Sequence, residues 1–167
     1  MQQNRFPKFH LALTILLMVF IFCQSALPAD LSQQESGAVV RLLAGFLHAD
    51  ESLISFCVRK GAHFLEYLLL GASLFYTVRD LRQAAALSNG GQEKGSGCAN
   101  AGMPTDGGLF SFLLPWIFAV LYAASDELHQ YFVPGRSCEL RDVLIDACGA
   151  AAGVAVAWLA VRRSAKG

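Results

Sequence analysis

Charge is what this chain of 167 residues has least of. Asp, Glu, Lys and Arg make up 16% of it, against about 25% in an ordinary soluble domain. The 13 Lys+Arg and 13 Asp+Glu cancel, which leaves neither a basic face for nucleic acid nor an acidic tail. Cysteine is scarce: the 5 residues, Cys23, Cys57, Cys98, Cys138 and Cys148, include no CxxC pair, so neither a dense disulfide framework nor a zinc ribbon is encoded. Cys57 and Cys138 fall near one surface and are the one pair placed to bridge; small apolar filler is the plainer reading of all five. No HExxH, no GxSxG and no internal repeat occurs. What is there is apolar, 54% of residues with mean hydropathy +0.44. That excludes disorder and places the chain among integral membrane proteins, with room for about four helices of about 20 residues.

Four crossings are expected. Residues 9–27 carry no charged side chain and suffice to cross about 30 Å of hydrocarbon. Arg5 and Lys8 precede this run as in a signal peptide, but Leu27 spoils cleavage at Ala29 and Phe22 before Cys23 spoils a lipoprotein site, so a retained signal anchor is expected. The second helix, about 58–79, is apolar only over 67–78 and reaches span length by taking Lys60, His63 and Glu66 in with it. The third, 109–132, carries Asp126, Glu127, His129 and Gln130 near its far end, and Pro115 starts or kinks it. The fourth, 139–161, carries Asp142 and Asp146 near its start, and Gly149 and Gly153 form a GxxxG step for close helix packing. Between the first two, residues 28–57 include Val39, Leu42, Leu43, Phe46 and Leu47 at helical spacing, which predicts an amphipathic helix in the membrane interface. Residues 84–108 hold seven of the 15 glycines and read as a flexible linker. The fold expected is thus an all-α membrane protein, one domain over residues 1–167: a bundle of four transmembrane helices with an outer interfacial helix.

Orientation follows from the cations. Arg5, Lys8, Arg79, Arg82, Lys94, Arg162, Arg163 and Lys166 fall on one side of this arrangement, and the positive-inside rule puts that side, with both termini, in the cytoplasm. Arg41, Arg59, Lys60, Arg136 and Arg141 sit on or near the other. The expected location is the cytoplasmic (inner) membrane, as a multi-pass protein.

The acids converge in depth. At 1.5 Å per residue, Glu66 stands roughly 20 Å from Arg79, Asp126 roughly 26 Å from Leu109 and Asp146 roughly 24 Å from Arg162. Lys60, Arg136 and Arg141 lie slightly further out. An ionised group in mid-membrane costs about 2.5–3.5 kcal/mol on insertion scales, so such residues persist by facing each other or water. Two readings are open: a polar site facing the outer leaflet, or ion pairs such as Lys60 with Glu66 and Arg136 with Asp126 that lock the helices together. His63 and Glu66 lie one helical turn apart, but Glu127 and His129 project from different faces, so no metal centre is expected. Ser125 and Ser137 lack evident His and acid partners for a triad. A phosphate held by Lys60, Arg136 and Arg141 suits the guanidinium fork, with His63, Glu66, Asp126 and Glu127 as acid/base candidates.

The stretches RKGAHFLEYLLLG (59–71) and SDELHQYFVPGRSCELRDVLIDACGAAAG (125–153) together resemble the VanZ-like membrane proteins. The matching positions are Lys60, His63, Glu66 and Tyr67; Asp126, Glu127, Gln130, Phe132 and Arg136; and Asp142, Asp146 and Gly149. The segment after the first helix, with Ser25, Pro28, Ser32 and Ser36, is similar as well, and only 84–108 looks inserted. The resemblance implies a cell-envelope role, and the family takes its name from a protein associated with teicoplanin resistance. It implies ligand-binding roles for Lys60, His63, Glu66, Tyr67, Asp126, Glu127, Gln130, Arg136, Asp142 and Asp146, without settling a reaction. The expected partners are the lipid bilayer and an anionic ligand, a lipid-linked phosphate or a glycopeptide; no nucleic acid, cofactor or metal is expected. Two alternatives stand beside this. One is an intramembrane hydrolase built on the Glu/His cluster, although CAAX-type membrane proteases carry an arginine where Tyr131 stands. The other is a non-catalytic scaffold.

Overall fold

The computed structural model describes residues 6–48, 50–90 and 109–164. Among them are five helices and no strand: α1 (Phe6–Ser25), α2 (Ala29–Leu47), α3 (Glu51–Gly90), α4 (Leu109–Gln130) and α5 (Leu140–Ser164). Three helices are long and apolar enough to cross a membrane: α1 over Lys8–Ser25, α4 and α5. Their large apolar residues face outward, among them Ile15, Leu16 and Val19 of α1 and Phe118 and Leu121 of α4. A bundle set in lipid has no reason to hide such side chains, because hydrocarbon is their solvent.

Helix α3 is central: it packs against every other helix. Residue pairs give the directions. Lys60 meets Asp142, Phe64 meets Gly149 and Leu68 meets Gly153, so α3 and α5 run the same way. His10 meets Asp80 at 2.6 Å and Thr14 meets Ser73 and Thr77 at 2.7 and 2.9 Å, so α1 runs opposite to α3. The Tyr122 hydroxyl donates to the Met18 carbonyl at 2.6 Å and Ser25 meets Asp126, so α4 runs with α1. One end of the bundle therefore holds His10, Asp80 and Arg162. The other holds Ser25, Lys60, Gln130, Arg136 and Asp142.

The α3–α5 seam is closed by missing side chains. A Cβ at Gly149 or Gly153 would overlap the carbonyl oxygen of Phe64 or Leu68, and one at Gly71 would lie 2.9 Å from Ala150 Cα. Backbone meets backbone here, as GxxxG packing allows. Around the seam pack Tyr67, Leu70, Ala119, Ala123, Ala150 and Val154, all buried.

Several boundaries differ from the sequence reading. Helix α3 has 40 residues, where about 58–79 was expected, and its continuation to Gly90 makes residues 84–90 helical rather than linker; 91–108 lie outside the described residues. The third helix closes at Gln130 rather than 132 because the turn at 131–139 begins there, and Pro115 lies inside α4 rather than starting it. On α2, Val40 and Ala44, with Leu43 partly buried, pack on Ile54 and Val58, whereas Val39, Leu42, Phe46 and Leu47 point outward. Cys23, Cys57, Cys138 and Cys148 are free and exposed, so Cys57 and Cys138 form no bridge; Cys98 lies outside the described residues.

Candidate ligand site

The turn between α4 and α5 is shaped by Val133-Pro134-Gly135-Arg136. Proline presets its own φ, Gly135 adopts φ 77°, and the Arg136 N–H returns to the Val133 carbonyl at 3.2 Å, the pattern of a type II turn. This reversal swings the Arg136 side chain back toward the end of α1. Its Nε donates to the Leu27 carbonyl at 2.9 Å, Nη2 to the Gln24 carbonyl at 3.1 Å and Nη1 to Gln130 Oε1 at 3.1 Å. Helix α1 has no basic residue in its own last turn, so Arg136 supplies the cation that its C-terminal carbonyls favour.

Gln130 passes the connection inward. Its Nε2 donates to Asp126 Oδ2 at 3.1 Å, while the Ser25 hydroxyl donates to Asp126 Oδ1 at 2.6 Å. Ser25, Asp126, Gln130 and Arg136 thus form a ring that ties α1 to α4 and the turn. Both Asp126 oxygens are engaged within the ring, so the expected Arg136–Asp126 ion pair is replaced by a relay through Gln130.

Lys60 pairs with Asp142 of α5 and not with Glu66 on its own helix. Glu66 instead lies 3.7 Å from His63 Nδ1. Glu127 Oε1 accepts the Glu139 backbone N–H at 2.6 Å, which fastens the end of the turn. Ser125 donates to the Tyr122 carbonyl and Ser137 to Glu139, so neither hydroxyl enters a His–acid relay.

Below this layer Tyr67, Asp126 and Asp146 are buried, with the Tyr67 hydroxyl and Asp146 Oδ1 lacking a hydrogen-bond partner among the described residues. Glu66, Asp126 and Asp146 lie close enough to interact electrostatically, so the three acids expected at one depth also share one region. No group of three or more His, Cys, Asp or Glu arranged to hold a metal ion occurs among the described residues.

Above it opens a polar pocket. Arg59, Lys60 and His63 of α3, Gln130 of α4, Gly135, Arg136, Ser137 and Glu139 of the turn and Asp142 of α5 line it, three Lys/Arg cations against two acids. Its volume is about 70 Å³, room for about five waters or one phosphate-sized group. Of the residues expected to bind ligand, Lys60, His63, Gln130, Arg136 and Asp142 reach the pocket. Glu66, Tyr67, Asp126, Glu127 and Asp146 are not among its lining residues. Arg141 is also absent from the wall and pairs with Glu139 at 2.6 Å.

The sequence reading missed Arg59, which was counted only among the outer cations. It has no acidic partner among the described residues, yet stands close enough to Arg136 that the two repel. Burial first, and then Arg59, press the Arg136 guanidinium below its usual pKa. The only sequence signal was adjacency to Lys60: two consecutive cations on a helix point to different sides, so a single ion pair cannot satisfy both.

A family model described as VanZ/LLP1 matches residues 9–161. The chain belongs to the VanZ/LLP1 family. The match extends from α1 through most of α5 and takes in every residue of the ring and the pocket. Comparison with curated proteins and with solved structures finds no match. Family and apolar helices agree that this is a VanZ-like membrane protein.

Proposed function

We propose that this VanZ/LLP1 protein spans the cytoplasmic membrane four times, with both termini inside, and binds a phosphate-type anion in the pocket facing the outer leaflet. The observation that carries the ligand reading is Arg59 beside Arg136: two guanidinium groups at one small polar pocket, one without an acidic partner among the described residues. An anion between them relieves their repulsion, and a bidentate oxyanion matches the guanidinium fork. Arg136 spends three hydrogen bonds on the fold and keeps two of the five N–H donors that a guanidinium offers. Lys60 is held by Asp142, and His63 adds an imidazole that donates or accepts. The pocket volume favours a phosphate or pyrophosphate group over a whole glycopeptide, so a link to glycopeptide resistance would run through an envelope component carrying such a group.

Support for the fourth crossing comes from direction. Helices α3 and α5 run together and against α1 and α4, as two outward and two inward crossings require. Hydropathy alone passes over α3 because Lys60, His63 and Glu66 fall within its span; Lys60 there meets Asp142, and Glu66 faces His63.

The test is saturable binding of inorganic pyrophosphate to the purified protein in detergent, followed by phosphorus NMR. Arg59→Gln is expected to weaken binding at least about tenfold, the order of one charge-assisted hydrogen bond, while its melting temperature stays at the wild-type value. Absence of saturable binding by the wild type refutes the reading. A second reading, a scaffold without ligand, is favoured by the closed Ser25–Asp126–Gln130–Arg136 ring, and absence of pyrophosphate binding together with a lowered melting temperature in Arg136→Gln would support it.

A further inference from the structure

Next to the polar pocket lies a larger groove, about 570 Å³, between α2 and the start of α3. Gly37, Val40 and Arg41 form its α2 wall, and Ser55, Phe56 and Arg59 stand on the α3 wall. Arg59 lines both cavities. Phe56 marks the junction: Lys60 Nζ lies 5.7 Å and Arg141 Cζ 5.3 Å from its ring centroid. A small charged chamber thus adjoins a wider one of mixed polarity along a single stretch of α3.

Three features restrict what the groove takes. Arg41, like Arg59, has no acidic partner among the described residues, and Glu51 is the one acid on the groove wall, so the groove carries a net positive charge. Val40 and Phe56 add apolar surface that a free inorganic anion does not need. Val39, Leu42 and Phe46 project outward from α2, a stripe that suits an interfacial helix bathed in lipid. The groove therefore opens where the head groups and first chain carbons of membrane lipids lie. Gly37 borders it with room for a side chain, since a Cβ there would meet nothing within 4 Å.

We propose that the α2–α3 groove is a second subsite of the same ligand, that Arg41 and Arg59 bracket its phosphate, and that the ligand is a membrane lipid phosphate whose chain begins along Val40 and Phe56. This rests on the anion reading of the polar pocket and adds the class of molecule. In it, the phosphate sits at Arg59, which both cavities share, with its free oxygens toward the polar pocket and its esterified side toward Arg41 in the groove. A soluble phosphate fills only the first chamber; a lipid phosphate fills both.

The test uses two probes: inorganic pyrophosphate, and dioleoylphosphatidylglycerol doped at low mole fraction into phosphatidylcholine nanodiscs, with retained lipid counted by native mass spectrometry. Gly37→Leu fills the groove from a position outside the polar pocket and replaces a helix-interior glycine with a better helix former. Retention of phosphatidylglycerol is expected to fall at least about tenfold in Gly37→Leu, with pyrophosphate affinity and melting temperature unchanged. Arg41→Gln should lower lipid retention without altering pyrophosphate binding, and Arg59→Gln should lower both. If Gly37→Leu and Arg41→Gln both retain lipid as the wild type does, or the wild type retains no phosphatidylglycerol over phosphatidylcholine, the groove proposal is overturned while the pocket reading stands on pyrophosphate. Lipid retention that depends on Gly37 and Arg41 without pyrophosphate binding or Arg59 dependence overturns the pocket reading and, with it, the claim that one ligand spans both cavities.

Discussion

Replacing Arg136 by glutamine separates the fold from the ligand site. The guanidinium makes three hydrogen bonds, to the carbonyls of Leu27 and Gln24 and to Gln130 Oε1, at 2.9, 3.1 and 3.1 Å. A hydrogen bond to a charged group contributes about 1.5–3 kcal/mol. Arg136 is half-buried, so water takes over part of what is lost at the Gln24 and Leu27 carbonyls. Gln130 is buried, and its Oε1 would lose its donor with less compensation. The net loss is therefore roughly 2–4 kcal/mol, below three full contributions. At about 2–4 °C per kcal/mol for a chain of this size, melting in detergent should fall by roughly 5–15 °C. Intrinsic fluorescence of Trp116 and Trp158 follows it. Arg136→Lys keeps the charge but presents one ammonium where three separated acceptors wait, so it should melt between the two. Arg59→Gln, which breaks no hydrogen bond among the described residues, should melt with the wild type. An Arg136→Gln protein that melts within a degree of the wild type would refute the structural role of the ring, and would leave Arg136 only the phosphate-holding role expected from the sequence.

Two further outcomes are expected. Gly153→Ala should destabilise the bundle toward the upper end of the roughly 1–3 kcal/mol range for overpacking, because the new Cβ meets the Leu68 carbonyl, with Ala72 N at 3.0 Å, and two helix backbones must separate. Gly61→Ala, where a Cβ meets nothing within 4 Å, should be neutral or stabilise by about 0.5–1 kcal/mol; equal melting of the two variants would discard the close-packed seam. The proposed orientation is checked by an impermeant maleimide on cells bearing single cysteines in an otherwise cysteine-free chain. A cysteine at Ser36 should be labelled from outside and one at Ser96 only after permeabilisation, and the reverse pattern would invert the topology.

Membrane class, the apolar helices and the depth of the acids were legible in the residues alone. An uncharged run over 9–27 has one economical solvent, and a rise of 1.5 Å per residue converts position into height. Glu66, Asp126 and Asp146 could therefore be expected at one level, and Gly149 and Gly153 on a contact face, before any coordinates. The three ordered motifs were enough to suggest the family.

Partner choice was not legible, because several groups at one depth are equivalent until the rotation of each helix is known. Rotation turned Lys60 toward Asp142 of α5 instead of Glu66 on its own helix. The Pro134-Gly135 turn, a few residues of non-helical backbone, sent Arg136 to the Gln24 and Leu27 carbonyls instead of Asp126, and that gave an expected ligand holder a structural role as well. On α2, five apolar residues at helical spacing predicted an interfacial helix; Val39, Leu42, Phe46 and Leu47 face outward, while Val40 and Ala44, outside that set, pack inward. Lipid rewards the outer stripe as fully as the core rewards the inner one, so periodicity could not rank them. Arg59 followed the same logic. Spacing could say that it stands beside Lys60 on a helix, but only the packing of α3 against the turn placed it beside Arg136, where two like charges meet at one pocket.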